Sequence, residues 1–498
     1  MNGKKLFSLI GIILLSLFCL IYLQRNINKI REKDFIVINT ILNDIPPVVA
    51  FTTVALGGFR GIAADILWLK TISLQEEGKY FEMVQLASWI LNLQPKSAGA
   101  VSFLAWNMAY NISIIYAEPE KKWRWVENGI NLLRDAIRYN PGNASLCKEL
   151  AWIYINKIGD KYDSSNLYYK TQLALGMQKI IGENPKENQN FWNLMAQTPS
   201  DYNEFIKKEL SDKSISEILK NSGYKNIEDL YISFKQEGRL PQQLKSKIID
   251  LKLFQNLTIH LKKRMLREEF GLDPERIIEI NKKFGELDWR LYSSLAIYWS
   301  CTGISISKDS RECHSALNMA LAAAVLNGNL LLVDNAEFNN FTTCPNFYAF
   351  PIINNYFIDK IVGENRDDYA NFYFSFANKI IPILCLYGKC EQAKTMFDNL
   401  KNVCPVSASS FATLQFFLDS YWSNYLERND KELILNDIFQ YIKISYLLNK
   451  KGMPDFAENL KKNSHYIYDK YSKHYSRNAL PEFRTFYADE MALLREKN

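Results

Sequence analysis

The strongest constraint on how this chain can fold is an internal period. Pro95, Pro141 and Pro185 each close an amphipathic run, as Leu93-Gln94-Pro95, Tyr139-Asn140-Pro141 and Glu183-Asn184-Pro185, and they are spaced by 46 and then 44 residues. The same 46-residue offset relates Leu104-Ala105-Trp106 in "FLAWNMAY" to Leu150-Ala151-Trp152 in "ELAWIYIN". Each unit reads as helix, turn, helix, with proline ending the second helix because it lacks the N–H that would continue it. One helix pair cannot bury its apolar face alone, so successive pairs must stack into a solenoid. The predicted fold is therefore all-α. With 21 glycines and 15 prolines in 498 residues, the chain has too few breakers for many short strands and tight turns. Its 48% hydrophobic and 23% charged residues are those of a globular protein, and its length allows two to four domains.

A second constraint lies at the N-terminus. Leu6 to Leu23, "LFSLIGIILLSLFCLIYL", is 18 residues without a charge, preceded by Lys4 and Lys5. At about 1.5 Å per residue it nearly crosses a hydrocarbon layer of roughly 30 Å. The apolar core is long for a cleaved signal, and no small-x-small cleavage site follows it. Phe18 before Cys19 is too bulky for a lipoprotein site. A retained single span is expected, with residues 1–34 as anchor and juxtamembrane helix. Charge counting sets Lys4 and Lys5 against Arg25, Lys29, Arg31 and Lys33, which favours a cytoplasmic body. Long following domains are translocated largely regardless of charge. An extracytoplasmic body is expected, with the cytoplasmic side left open.

The repeat units carry a resemblance. Ile62 to Pro95 spans 34 residues, with Gly78 at the inter-helix turn, Tyr80 after it and Pro95 closing the unit. In "YGKCEQAKTMFDNLKNVCP", Gly388, Ala393, Phe397 and Pro405 follow the same spacing. Leu104-Ala105 and Leu150-Ala151 stand as the leucine-small pair of a first helix. These features resemble the tetratricopeptide repeat, which implies an α-solenoid of helix-turn-helix units. The units after Pro95 and Pro141 carry about ten extra residues, so loops or helix extensions are expected. The strings "GGFRGIAADILWLK", "WRWVENGINLLRDAIRYNP" and "FGELDWRLYSSLAIYWS" are also similar to a bacterial family of membrane-anchored, tetratricopeptide-like proteins. That likeness implies architecture and not chemistry.

Four regions follow: the anchor over 1–34, an N-terminal array over 35–199, a charged helical insertion or hinge over 200–287, and a C-terminal array over 288–498. Within the insertion, Ser214 with Glu217 reads as a capping box and Asp273-Pro274-Glu275 as a helix start. Gly57, Gly58, Arg60 and Gly61 open the first array. They match neither a Walker loop nor a dinucleotide loop, so they read as a turn, with Arg60 and Asp65 pairing with neighbouring helices or capping them. The two charges also argue against a second membrane span over Val48 to Leu69.

No catalytic motif is present. The four histidines, His260, His314, His465 and His474, form no zinc-protease pattern, and there is no C-x-x-C or G-x-S-x-G. Cys313-His314 with Cys301 lacks a fourth ligand at usable spacing. The cysteines of the second half are expected to pack as small apolar groups rather than form bridges. No cofactor, metal or catalytic residue is assigned, and a net charge of +6 without charge blocks gives no reason to expect nucleic acid. Most aromatics of the first array are expected in the core. Trp106 and Trp152 are the exception, because they follow the leucine-small pair on the face that resembles the inner surface of a tetratricopeptide superhelix. Tyr110, Lys148, Glu149 and Asn156 join that face, making a groove suited to an extended peptide or a glycan strand. The expected function is a membrane-anchored scaffold for protein or peptide partners at the cell envelope. The alternatives are an enzyme binding or processing an envelope polymer, with carboxylates assembled by the fold, and an architectural spacer that self-associates.

Overall fold

The computed structural model describes residues 60–94, 97–182, 190–209, 212–245, 251–333, 341–364, 367–404, 411–429 and 431–474, with isolated positions toward either end. Helix dominates, as the period predicts. The chain divides into two compact units, Met1–Ile153 and Tyr154–Asn498.

The first unit contains α1 (Arg60–Glu76), α2 (Tyr80–Leu93), α3 (Ala98–Trp106), α4 (Pro119–Tyr139) and α5 (Ala144–Trp152). The α1–α2 turn is closed by two backbone bonds, Gly78 N–H to the Gln75 carbonyl at 3.0 Å and Lys79 N–H to the Leu74 carbonyl at 2.8 Å. Gly78 has φ +71°, the left-handed conformation that this closure requires. Ser97 caps α3 by accepting from the Ala100 N–H, and Asn143 caps α5 by accepting from the Ser145 and Leu146 N–H groups. Exposed Pro141 sits in the turn between α4 and α5. Both capped helices run on into a π turn, Asn107–Ile112 after α3 and Ile153–Ile158 after α5, so the 46-residue period recurs in the backbone.

Packing explains why the helices hold. On α4, Val126, Ile130, Leu133 and Ile137 are buried at helical spacing, each contributing about 1.5–3 kcal/mol of apolar burial. Buried Gly129 lets α4 approach α3, since a Cβ there would lie 2.8 Å from the Ala105 carbonyl oxygen. Among the described residues one helical stretch, Ala98–Ile115, is long and apolar enough to cross a membrane, and 44% of it is buried. Its buried residues Ala100, Val101, Leu104 and Ala105 belong to the α3 face that packs on α4, the behaviour of a core helix. The expected anchor, Leu6 to Leu23, lies outside the described residues apart from isolated helical positions such as Cys19 and Tyr22. Gly57, Gly58, Pro95 and Pro405 also lie outside them. Arg60 begins α1, Gly61 is exposed, and exposed Asp65 has no ion-pair partner among the described residues, so the expected pairing of Asp65 is not seen.

The second unit runs through α6 (Asn166–Ile181), α7 (Phe191–Gln197), α8 (Tyr202–Glu209), α9 (Asp212–Asn221), α10 (Ile227–Glu237), α11 (Leu251–Met265), α12 (Pro274–Phe284), α13 (Tyr292–Ile306) and α14 (Arg311–Leu326). It continues through β1 (Asn329–Leu332), β2 (Thr342–Cys344), α15 (Phe350–Glu364), α16 (Asp367–Leu386), α17 (Cys390–Val403), α18 (Leu414–Arg428), α19 (Lys431–Lys450) and α20 (Pro454–His474). Gly388 joins α16 to α17 and Gly452 joins α19 to α20, at φ +77° and +73°. Each repeats the bond pair seen at Gly78: Lys389 N–H to the Leu384 carbonyl at 2.8 Å and Met453 N–H to the Leu448 carbonyl at 3.0 Å.

The antiparallel strand pair is a departure from the expected run of helices after Asp288. Asn329 lies opposite Cys344 and Leu330 opposite Thr343, with a register shift before Leu332. Asp288 holds this pair in place by accepting the Leu330 N–H at 3.0 Å, a tertiary bond that no local pattern encodes. The charged insertion is also built into the unit. Lys263 of α11 is buried and donates to the Ala196 and Thr198 carbonyls at 3.1 and 2.8 Å, satisfying the end of α7. The helix start at Asp273-Pro274 is observed, with Asp273 as N-cap. α9 begins at Asp212, two residues before Ser214.

Candidate functional site

The predicted groove residues fall on α3, α5 and the π turns that extend them. α3 and α5 are neighbours in the first unit, and both pack on α4. Trp106 ends α3 and is 41% exposed. Its ring stacks on Tyr110, one turn further, with centroids 5.4 Å apart and planes 26° from parallel. Lys148 and Glu149 of α5 form an ion pair, Nζ to Oε1 2.5 Å, with both side chains about a quarter exposed. Burial, with the Glu149 carboxylate adding to it, raises the Tyr110 hydroxyl above its ordinary pKa and keeps it neutral. Trp106 thus pairs with Tyr110 and Lys148 with Glu149, and the Glu149 carboxylate is near enough to act on the Tyr110 hydroxyl. Trp152 is half-buried at the corresponding end of α5. Asn156 falls within the second compact unit, and its buried amide nitrogen has no hydrogen-bond partner among the described residues.

The expectation that most first-array aromatics are core residues is corrected. Trp68, Tyr80, Trp123, Trp125 and Trp192 are half-buried, whereas Phe81 and Trp89 are exposed. Rings pair at the margin of the core instead: Trp68, which packs on Ala64, Ile90 and Ala100, lies edge-on to Phe103 at 5.0 Å, and Phe81 lies edge-on to Trp125 at 5.8 Å. The core of this unit is filled by small and aliphatic residues such as Ala64, Ile90, Ala100, Ile112 and Leu133.

The second unit holds a cavity of about 790 Å³ that sequence reasoning did not find. Its walls come from Trp192 of α7, the segment Glu286–Arg290, the strand pair, the Gly388 turn, the Gly452 turn and Phe456 of α20. The floor is organised by Asp288-Trp289-Arg290. Arg290 grips the Asp288 carboxylate with Nε at 2.8 Å and a terminal nitrogen at 2.7 Å, and both side chains are only 7% exposed. Trp289 donates its indole N–H to Asn281 Oδ1 at 3.1 Å and meets Trp192 edge-on at 6.1 Å. Asn346 donates to the Glu286 carbonyl at 2.9 Å, tying this segment to the residues after β2. Near the turns, Phe347, Tyr387 and Phe456 form an aromatic cluster, with the Lys389 ammonium 5.3 Å from the Phe347 ring and 5.1 Å from the Phe456 ring.

Two signals for this site were present in the sequence: the string "FGELDWR", and the glycine turn at Gly388-Lys389. Neither indicates a cavity, because its walls are brought together across more than 250 residues. Among the described residues no group of three or more His, Cys, Asp or Glu is placed to hold a metal ion. His314 spends both ring nitrogens on protein partners, the Lys308 carbonyl at 2.9 Å and the Tyr369 hydroxyl at 3.0 Å. No model of a known protein family matches the chain, and no curated protein matches it.

Proposed function

We propose that this protein is a membrane-tethered helical-repeat scaffold that binds a protein or peptide segment along the face carried by α3 and α5, and that it has no catalysis of its own. The observation that carries the reading is the exposed Trp106 stacked on Tyr110 beside the Lys148–Glu149 pair. A large ring fixed by a second ring loses little conformational freedom when a partner covers it, which is how aromatic anchors concentrate binding energy. The paired charges beside it offer a polar edge that orients the partner. The recurrence of capped helix and π turn at 46 residues, and the glycine closures at Gly78, Gly388 and Gly452, support stacked tetratricopeptide-like units.

Leu6 to Leu23 supplies the tether. Confinement to a membrane surface raises the effective concentration of the face against partners on the same surface. The body is placed on the extracytoplasmic side. A catalytic reading finds little support in the cavity, where the buried Asp288 carboxylate is engaged by Arg290 and by the Leu330 N–H. The test is crosslinking with mass spectrometry on membranes carrying the full-length chain. Trp106→Ala and Trp152→Ala should each weaken capture of a specific partner, Trp106→Ala by about tenfold or more. An unchanged crosslink profile in both variants, with helicity preserved by circular dichroism, would sink the reading.

A further inference from the structure

The cavity of the second unit has a chemistry of its own, independent of the α3–α5 face. Its volume of about 790 Å³ is that of a small-molecule site. Its charge is unbalanced. Lys389, Lys450 and Lys451 line it, and the carboxylates that line it are Glu286 and Asp288. Asp288 is neutralised by Arg290, 2.7 Å away. Lys389 and Lys450 then stand against the single remaining carboxylate, Glu286. Among the described residues Lys389 has no carboxylate within ion-pair distance, and its charge rests instead on the ring faces of Phe347 and Phe456. A cation held by rings keeps its hydrogen-bond donors open to an arriving anion.

The two ends of the cavity differ. Lys450 and Lys451 are exposed, so they stand at its mouth. Trp289 is 1% exposed and Leu330 4%, so they form its inner wall, which Trp192, Leu331 and Phe456 extend as an aromatic and aliphatic surface. We propose that this cavity binds an anionic amphiphile, a small molecule with an apolar body and one carboxylate or phosphate head. The body lies against the aromatic interior, and the head sits at the lysines contributed by the Gly388 and Gly452 turns. Apolar burial supplies most of the affinity, and charge selects the head.

Calorimetric titration of the full-length protein in phosphatidylcholine nanodiscs tests this, with empty nanodiscs subtracted. The probes are octanoate, octyl phosphate, octanol, octylammonium and inorganic phosphate. One of the two anionic amphiphiles should saturate at one per chain, and which of them binds tighter identifies the head. Octanol and inorganic phosphate should each bind at least about tenfold more weakly, the loss expected when either the charge-assisted contacts or the buried body is absent. Lys389→Gln should weaken the anion about tenfold and leave octanol unchanged. Glu286→Gln removes the one opposing charge and should tighten the anion. Should Lys389→Gln fail to fold, the exposed pair Lys450→Gln and Lys451→Gln gives the same reading. Equal affinity for octanoate and octanol, tighter binding of octylammonium, no saturable binding, or indifference to these substitutions would each overturn the proposal.

Discussion

At the residue scale, several buried polar groups work by satisfying backbone that no helix can satisfy. His260 is one of them. Its Nδ1 donates to the Pro199 carbonyl at 3.0 Å, and its ring stacks on Phe205 with centroids 4.5 Å apart. Burial lowers its pKa below the ordinary value, with Arg264 and Lys263 adding to the effect and the Pro199 carbonyl and Asp201 opposing it. The folded state therefore prefers neutral His260, and the unfolded state binds the proton first as pH falls. The stability this group contributes is complete above its unfolded pKa of about 6.5 and is lost as pH falls below that value. Thermal melts of the wild-type chain should show a melting temperature that drops between pH 7.5 and 5. His260→Gln keeps a donor toward Pro199 and should flatten that drop. An identical pH profile in the variant would remove His260 as its source. His260 is present in the sequence as one of four histidines. Its partner lies 61 residues away, so nothing near it in the chain points to the role.

At the element scale, the helix hairpins were the most legible part of the fold. Gly78 and Gly388 are readable as turns from their place between amphipathic runs, and both take the left-handed conformation. Spacing cannot read what lies over the turn. A Cβ on Gly388 would meet the Asn459 side chain at 2.5 Å, whereas one on Gly452 would meet nothing within 4 Å. Both substitutions to alanine force a non-glycine residue to positive φ, which costs about 1–2 kcal/mol. Gly388→Ala adds displacement of Asn459 and should destabilise the chain more than Gly452→Ala in urea denaturation. Equal losses would mean that Asn459 yields freely. The strand pair was not legible, because its register rests on Asp288, 42 residues before Leu330. The aromatics misled for a related reason. Trp89 and Phe81 sit at helical spacing, yet Met83, Ala87 and Ile90 make the buried side of α2, so the rings are left outside.

At the scale of the whole molecule, one thiol can test the proposed extracytoplasmic placement of the body. Cys390, at the start of α17, is exposed, and Cys19 is the other exposed cysteine, within the expected anchor. Cys147, Cys313, Cys344 and Cys404 are buried. With an extracytoplasmic body, a membrane-impermeant maleimide should label intact cells at Cys390, and Cys390→Ser should abolish that label. Labelling that appears only after lysis places the body in the cytoplasm.

Periodicity settled the helical class, the hairpin turns and the phase of the repeat, because those depend on contacts within a few turns of chain and on the conformational limits of proline and glycine. Trp106 meets Tyr110 and Lys148 meets Glu149 for the same reason: each pair lies within one turn of chain. The cavity, the Asp288–Arg290 grip on the strand pair and the Lys263 cap on α7 come from partners far apart in the chain. Such groups meet only when the apolar faces of many helices have found one another, and their spacing along the chain carries no trace of that meeting.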